Sequence, residues 1–239
     1  MTKTPTVGVV IFPGSNGDHD ALNSLAEDLG YTVRAIDYRE PEVGEVDAIV
    51  LPGGFSYGDA LRCGAIARFS PVMASVKAFA DAGGPVLGIC NGFQVLCEAH
   101  LLPGALLRNS SLRFHSFEVF FKVEQTDTPW TRGIEAGTVL RLPVAHGDGS
   151  YFIDPEGLAK LEANGQIVAR YSDAIGNVTD EVNRNGSVNN IAAVTNETRN
   201  VVGLMPHPER ATNALVGGDD GLQILRSLVA EPTLIAAAS

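Results

Sequence analysis

The sequence predicts an α/β protein in which a doubly wound, mostly parallel sheet carries helices on both faces. Short apolar runs rich in valine and isoleucine alternate with segments whose apolar residues recur at helical spacing. Glycine-rich turns join these segments, as is typical of strand–helix–strand units in parallel sheets. Residues 112–198 look different, with strand-like runs and an Asn/Gly-rich stretch, which predicts added antiparallel strands.

The first part of the chain supplies the early strands and helices of this sheet. Strands are predicted at residues 7–12, 32–36, 48–51 and 85–89, where short apolar runs end at turn signals. Helices are predicted at residues 18–29, 71–82 and 93–100. Gly30 is a natural stop for the first helix, and Gly83 for the second.

The later elements complete the sheet. Strand character at residues 114–123 and 138–143, with turns across 177–190, indicates antiparallel strands or excursions. The chain then returns to the sheet at residues 191–194 and 201–204, and a final helix is predicted at 221–229. Because no internal repeat and no interdomain linker are evident, residues 1–239 are expected to form one domain.

Charge and cysteine content restrict the partners and the compartment. The formal net charge of -11 disfavours nucleic acid and anionic membranes as partners. No segment reaches membrane-spanning length without charge or glycine, and the N-terminal apolar run lacks a signal-peptide pattern. Three cysteines are too sparse for a disulfide framework, which favours free thiols in a reducing compartment. The protein is therefore expected to be cytoplasmic.

Cys90 is the candidate nucleophile. A buried strand runs directly into Gly88-Ile-Cys90-Asn-Gly92, and a helix begins at once, which is the strand–turn–helix setting of a nucleophile elbow. The flanking glycines suit a turn too sharp for side chains, and the start of the helix favours a thiolate. A free cysteine is otherwise commonly a small buried hydrophobe. Cys97 and Cys63 are assigned to such packing roles.

His207 is the candidate base, and Glu209 is its orienting group. His207 follows the predicted strand at 201–204, so it is expected at the same edge of the sheet as Cys90. In an extended segment the side chains of residues i and i+2 point the same way, and Pro208 biases His207 towards extended geometry. Glu209 can then fix one ring nitrogen and leave the other for Cys90.

Backbone amides are expected to stabilise the oxyanion. The amide of Asn91 follows the nucleophile directly, and a second donor is expected from the loop that contains Gly53, Gly54 and Phe55. A tight turn would also explain those glycines. His146, followed by Gly147, lies in a loop that suits either a wall of the substrate site or a turn-stabilising role.

No metal or nucleotide site is expected in this chain. The sequence has no C-x-x-C, no H-E-x-x-H and no EF-hand loop. The loop at residues 14–17 opens a helix and could cradle phosphate, but it lacks the lysine of a P-loop and the spacing of a dinucleotide fingerprint.

These motifs resemble the class I glutamine amidotransferases. The resemblance rests on residues 85–94 (Pro-Val-Leu-Gly-Ile-Cys-Asn-Gly-Phe-Gln) and the later His-Pro-Glu at 207–209. Further blocks at 53–68, 143–149 and 205–211 resemble the stand-alone glutaminase subunits of phosphoribosylformylglycinamidine synthase, an enzyme of purine biosynthesis. The similarity runs from Phe12 to Ala211 and implies a flavodoxin-like class I glutaminase fold.

The resemblance implies a two-stage reaction on glutamine. Cys90, His207 and Glu209 would form the triad, and Gln94 with the Gly54–Phe55 backbone would hold the substrate. Ammonia would pass to a synthetase subunit that converts formylglycinamide ribonucleotide to the amidine, with a small accessory subunit completing the complex. No cofactor is implied for this chain, because ATP and magnesium would belong to the synthetase.

Two departures and three alternatives accompany this interpretation. Gly17 stands where the subfamily is expected to have a cysteine, and Ser116-Phe117 replaces a cysteine and a basic residue. Neither position is expected to touch the triad. The alternatives are a PfpI-like cysteine hydrolase, a catalytically inactive regulatory module and a glutaminase that serves another acceptor.

Overall fold

A computed structural model describes residues 4–215 and 217–230, and a nine-stranded mixed sheet forms its centre. The predicted domain limits, residues 1 and 239, lie outside the described residues. The strands are β1 (Thr6–Ile11), β2 (Thr32–Asp37), β3 (Ala48–Leu51), β4 (Val86–Ile89), β5 (Ala105–Leu107), β6 (His115–Val123), β7 (Val139–His146), β8 (Ser150–Phe152), β9 (Ile167–Ser172), β10 (Ile191–Thr195) and β11 (Val201–Leu204). The helices are α1 (Asp18–Asn23), α2 (Val72–Asp81), α3 (Asn91–Glu98), α4 (Pro155–Ala163) and α5 (Gly221–Arg226).

The sheet has a parallel half and an antiparallel half. Its strand order is β2-β1-β3-β4-β11-β10-β9-β6-β7, and pairing is parallel from β2 to β11. From β11 to β7 every pair is antiparallel, while β5 and β8 form a separate two-stranded sheet. The predicted α/β class with added antiparallel strands is confirmed.

Most predicted elements of the parallel half are confirmed, with differences at their ends. The strands predicted at 48–51 and 201–204 have those limits. The strands predicted at 32–36 and 85–89 differ by one residue at one end, and the strand predicted at 7–12 is displaced by one residue. The helix predicted at 18–29 is α1 followed by a π-helical segment, Ser24–Asp28, before Gly30 turns with a positive φ of 68°. The final predicted helix is α5 followed by a 3-10 turn, Ser227–Val229.

The strands of the parallel half form the core that positions the candidate site. All four residues of β3, β4 and β11 are buried, and α3 packs against these three strands. Full burial of an aliphatic side chain contributes about 1.5–3 kcal/mol relative to exposure. Because β4 and β11 are parallel neighbours, Cys90 and the segment that follows Leu204 emerge at one edge of the sheet.

Four elements were not predicted individually: β5, β8, β9 and α4. Helix α4 carries a recognisable signal, since the Asp154 side chain accepts a hydrogen bond from the Gly157 amide at 2.7 Å and Pro155 occupies the first turn. Only Leu161 is buried in that helix, so its apolar periodicity is weak. Within the described residues, no helix is long and apolar enough to cross a membrane.

Candidate active site

Cys90 occupies a strained turn between β4 and α3. Its φ of 50° and ψ of -103° lie outside the regions that non-glycine residues ordinarily adopt. A Cβ on Gly92 would come 1.9 Å from the Leu51 carbonyl oxygen, and one on Gly88 would come 2.7 Å from the Gly92 carbonyl carbon. Strand, turn and helix therefore approach too closely for larger residues, as the elbow motif predicts.

The Cys90 thiol faces both β7 and His207. Sγ is 3.7 Å from the Ala145 carbonyl oxygen, to which it can donate, and Cys90 is 4% exposed. The first amides of α3 have no acceptors within the helix and carry its positive dipole end beside the sulfur. The strained turn and the start of the helix are features expected of a nucleophilic cysteine.

His207 and Glu209 form a buried pair next to Cys90. Nδ1 of His207 donates to Oε1 of Glu209 at 2.6 Å, and both residues are at least 97% buried. Burial lowers the pKa of His207, but the charges of Glu209 and Cys90 outweigh it and raise that pKa to about 10. Nε2 makes no hydrogen bond of regular geometry among the described residues, although the ring is near enough to Cys90 for the thiolate to stabilise its proton.

The contact between His207 and Glu209 was predicted, but the reason given for it was wrong. Pro208–Arg210 form a 3-10 turn rather than an extended segment, with His207 at its N-cap. The His207 amide donates to the Pro143 carbonyl oxygen at 2.8 Å, which ties the end of β11 to β7. The turn, anchored on β7, places the carboxylate against the ring.

Gly17 lies beside the pair, so the expectation that this departure does not touch the triad is wrong. A Cβ at Gly17 would come 3.4 Å from Oε1 of Glu209 and 3.3 Å from the Gly53 backbone. The other departure, Ser116-Phe117, lies on β6. The Phe117 ring centroid is 5.1 Å from that of His115 and 4.9 Å from the Arg184 guanidinium carbon. Gly17 therefore borders Glu209 directly.

The loop predicted to hold the oxyanion packs on the triad candidates. A Cβ at Gly53 would lie 2.7 Å from Cε1 of His207 and 3.6 Å from Cβ of Cys90. Gly54 has a φ of 151°, and a Cβ there would come 2.7 Å from Cα of Ser15. The Phe55 amide donates to the Gly14 carbonyl oxygen at 2.9 Å, so Phe55 is not an oxyanion donor in this conformation.

Helix α3 carries one predicted oxyanion donor, the Asn91 amide, and one predicted substrate-binding residue, Gln94. The Asn91 amide is at the first position of the helix, and the Asn91 side chain accepts from the Ser56 amide at 3.1 Å. Nδ2 of Asn91 donates to Oε1 of Gln94 at 2.8 Å. Nε2 of Gln94 donates in turn to the Asp148 carbonyl oxygen at 2.6 Å. Both the oxygen and the nitrogen of the Gln94 side-chain amide are therefore hydrogen-bonded.

His146 is buried at the end of β7 and stays neutral. Burial, then the charges of His115 and His207, lower its pKa to about 3. Nδ1 of His146 contacts Oδ1 of Asn109 at 3.1 Å, and the same oxygen accepts from the Gly149 amide. His146 therefore stabilises the turn and also lies within electrostatic range of His207. Gly147 accepts from the Asn109 amide through its carbonyl oxygen at 2.9 Å.

The packing assignment is confirmed for Cys97 and wrong for Cys63. Cys97 is buried in α3, where its Sγ is 3.7 Å from the Pro103 carbonyl oxygen and burial raises the thiol pKa. Cys63 instead donates a hydrogen bond to Oδ2 of Asp148 at 3.0 Å. Asp148, although it lies in the 143–149 block, and Asn109 were not singled out, because their contacts depend on how distant loops meet.

The fold and the geometry of this site define a class of protein, and comparison with known families gives the same class. Residues 4–217 match the family model of the CobB/CobQ-like glutamine amidotransferase domain. The chain therefore belongs to the glutamine amidotransferase family.

Relatives that align with nearly the whole chain are subunits of one enzyme. The phosphoribosylformylglycinamidine synthase subunit PurQ of Thermomicrobium roseum is 60% identical over 221 residues, covering 92% of this chain and 94% of that protein. The subunit of Salinibacter ruber is 54% identical over 230 residues, covering 96% and 98%. A chain in the structure of PurLQS from Thermotoga maritima has a TM-score of 0.83 and 42% identity, covering 95% of this chain and 98% of its own. The predicted enzyme class and its link to purine biosynthesis are confirmed.

Proposed function

We propose that the chain acts as one glutaminase domain that releases ammonia from glutamine and delivers it to a synthetase subunit, which makes formylglycinamidine ribonucleotide. The observation that carries the proposal is the convergence of three features on one point. Cys90 sits on a strained elbow, the buried His207–Glu209 pair lies next to it, and the Gly53 backbone packs on both. This is the geometry that nucleophilic acyl transfer requires.

In the first stage Cys90 acts as the nucleophile. Its thiolate sulfur forms a bond with the carboxamide carbon of glutamine, and the carbonyl electron pair moves onto oxygen. The amides of Asn91 and Gly54 are the proposed donors to that oxyanion. When the tetrahedral intermediate collapses, the carbon–nitrogen bond breaks and the His207 proton passes to the leaving nitrogen. Ammonia and a γ-glutamyl thioester on Cys90 are the products.

In the second stage water replaces ammonia. His207, now neutral, takes a proton from water as the oxygen attacks the thioester carbon. Collapse of the second tetrahedral intermediate breaks the carbon–sulfur bond and releases glutamate and the thiolate. Glu209 keeps Nδ1 protonated throughout, so Nε2 is the nitrogen that exchanges protons with substrate. The charge of Glu209 also stabilises the imidazolium formed in each cycle.

The proposed partners are a synthetase subunit and a small accessory subunit. Support comes from the relatives, which are subunits of phosphoribosylformylglycinamidine synthase, and from the PurLQS structure that contains a similar chain. We assign ATP and magnesium to the synthetase and no cofactor to this chain. Among the described residues no cluster of three metal-binding side chains is found.

One alternative differs in chemistry and one in acceptor. A PfpI-like hydrolase would use the same elbow, but the family match and the carboxylate at 2.6 Å from His207 favour the amidotransferase. A glutaminase for another acceptor would share the whole site, and the relatives at 54–60% identity favour the purine enzyme.

The thioester is the most direct test of this chemistry. Acid quenching during turnover of glutamine, followed by peptide mass analysis, should show a glutamyl adduct on the Cys90 peptide that hydroxylamine removes. Cys97→Ala, which removes a buried thiol from the same helix, should retain the adduct, whereas Cys90→Ala should lack it. An adduct that persists in Cys90→Ala, or none in any variant during turnover, would contradict the proposal.

A further inference from the structure

The loop that contains the oxyanion glycines has an unusual backbone conformation at several residues. Five of its residues have positive φ angles between 54° and 77°: Tyr57, Gly58, Asp59, Leu61 and Gly64. Three of these are not glycine, and each such conformation costs free energy and persists only where surrounding contacts enforce it. We call residues 53–64 the β3 loop. Contacts outside the loop must therefore hold it in this shape.

A continuous set of hydrogen bonds ties the β3 loop to the start of α3. The Ser56 amide donates to Oδ1 of Asn91 at 3.1 Å, and Nδ2 of Asn91 donates to Oε1 of Gln94 at 2.8 Å. At the far end of the loop the backbone of Gly64 packs closely on α3, since a Cβ on Gly64 would lie 2.8 Å from the Val95 amide nitrogen. The loop thus contacts α3 at both of its ends.

Asp148 closes this set into a ring. Its carbonyl oxygen accepts from Nε2 of Gln94 at 2.6 Å, and its carboxylate Oδ2 accepts from Sγ of Cys63 at 3.0 Å. Cys63 belongs to the β3 loop, so the ring runs from the loop through α3 to the β7–β8 turn and back. Each member is a defined donor or acceptor, which fixes the orientation of both side-chain amides.

Cys63 is suited to act as a permanent donor. Burial, the hydrogen bond to Asp148 and the nearby Asp59 carboxylate all raise its pKa above the ordinary range, so the sulfur keeps its proton. A thiol has one proton to donate; its hydrogen bond of regular geometry is to Asp148 at 3.0 Å, and Asp59 lies near enough to compete for the proton. Asp59, the second acid at this position, has a buried Oδ1 without a hydrogen bond among the described residues.

We propose that Cys63 and Asp148 are positioning residues that orient Gln94 for glutamine and hold the β3 loop against the nucleophile. The inference rests on the proposed glutaminase function. In the ring Gln94 uses one of its two N–H groups and one of its two carbonyl lone pairs. One donor and one acceptor remain, which match the carboxylate and the ammonium of a free α-amino acid. Without the Cys63–Asp148 bond, the turn that carries this carbonyl loses its link to the β3 loop, although Asn109 still holds Gly149.

Steady-state kinetics of the complex with its synthetase subunit test the inference. Cys63→Ala and Asp148→Ala should each raise KM for glutamine by about five- to tenfold, the effect of losing one ordinary intramolecular hydrogen bond, with kcat changed less than about twofold. Cys63→Ser retains a donor and should stay within about twofold of the native KM. The Asp148 side chain is 35% exposed, so its truncation is compatible with folding.

Three comparisons make the result specific. The double variant should be no worse than either single variant, because both break the same bond. Cys97→Ala, a buried thiol outside the ring, should leave KM unchanged. Synthesis from ammonia should be equal in all variants. An unchanged KM in Cys63→Ala, equal impairment by serine and alanine, or additive effects in the double variant would overturn the inference. A native complex that uses ammonia but not glutamine would instead overturn the proposed function.

Discussion

The charge of Glu209 is the feature on which proton transfer by His207 most depends. Glu209→Gln keeps an oxygen that can accept from Nδ1 but removes the charge from a pair that is buried and 2.6 Å apart. Loss of one partner of a buried ion pair costs about 3–5 kcal/mol. Since each 1.4 kcal/mol is a factor of ten, the imidazolium–thiolate state should become about 10²–10⁴ times less favourable. We expect kcat with glutamine to fall by that factor.

The assay compares glutamine and ammonia as nitrogen donors in the assembled enzyme. Glu209→Gln should lose turnover with glutamine, retain synthesis with ammonia and keep KM for glutamine near the native value, since Glu209 contacts His207 rather than the substrate-holding residues. Asp20→Asn is the matched control. Asp20 accepts a hydrogen bond from Nε of Arg210 at 2.8 Å, so this substitution removes an equal negative charge nearby without changing a contact of His207. Glutamine turnover above a tenth of the native value in Glu209→Gln would refute the reasoning.

Three further predictions concern stability. The pKa of His207 rises from 6.5 to about 10 on folding, so its contribution to stability is complete below pH 6.5 and is lost as pH rises through about 10. Urea unfolding across that pH range should show this loss. A His207→Gln variant whose free energy of unfolding falls with pH as steeply as that of the native protein would contradict it. Folding lowers the pKa of His146 from 6.5 to about 3, so as pH falls this histidine is protonated in the unfolded chain before it is protonated in the folded one. Stability should therefore decline as pH falls below 6.5. His146→Asn should flatten that decline, and an unchanged acid profile would argue against a buried neutral ring. Gly92→Ala should destabilise the fold by about 1–3 kcal/mol or more, because its Cβ would lie 1.9 Å from the Leu51 carbonyl oxygen. Gly147→Ala, whose Cβ would meet only Phe114 at 3.8 Å, is its control, and equal unfolding free energies would contradict the packing argument.

The sequence predicted the parallel half of the sheet well because local signals and tertiary structure agree there. Buried strands of a parallel sheet are continuous apolar runs, and their ends carry glycine or proline. The elbow at Cys90 was predictable for a related reason. The glycines at 88 and 92 are required by close approach of the backbone to Leu51 and to each other, and close approach of this kind leaves a sequence signature.

The antiparallel half was predicted only in outline because long-range pairing decides it. Strand β9 lies between β10 and β6, and no local pattern shows that residues 167–172 join partners so far along the chain. The contact between Cys63 and Asp148 joins residues 85 positions apart, and Gly17 reaches Glu209 across the loop of Gly53. Such contacts depend on loop geometry, which the residue types do not encode locally.

The measurement that tests the central claim most directly is amidine synthesis by this chain combined with its synthetase and small subunits, with glutamine or ammonia as the donor. The account predicts synthesis from glutamine with the native chain, none with Cys90→Ala, and equal synthesis from ammonia with both. Cys90→Ala that still uses glutamine would contradict the assignment of the nucleophile. A native chain that supports synthesis from ammonia alone would contradict the proposed acceptor.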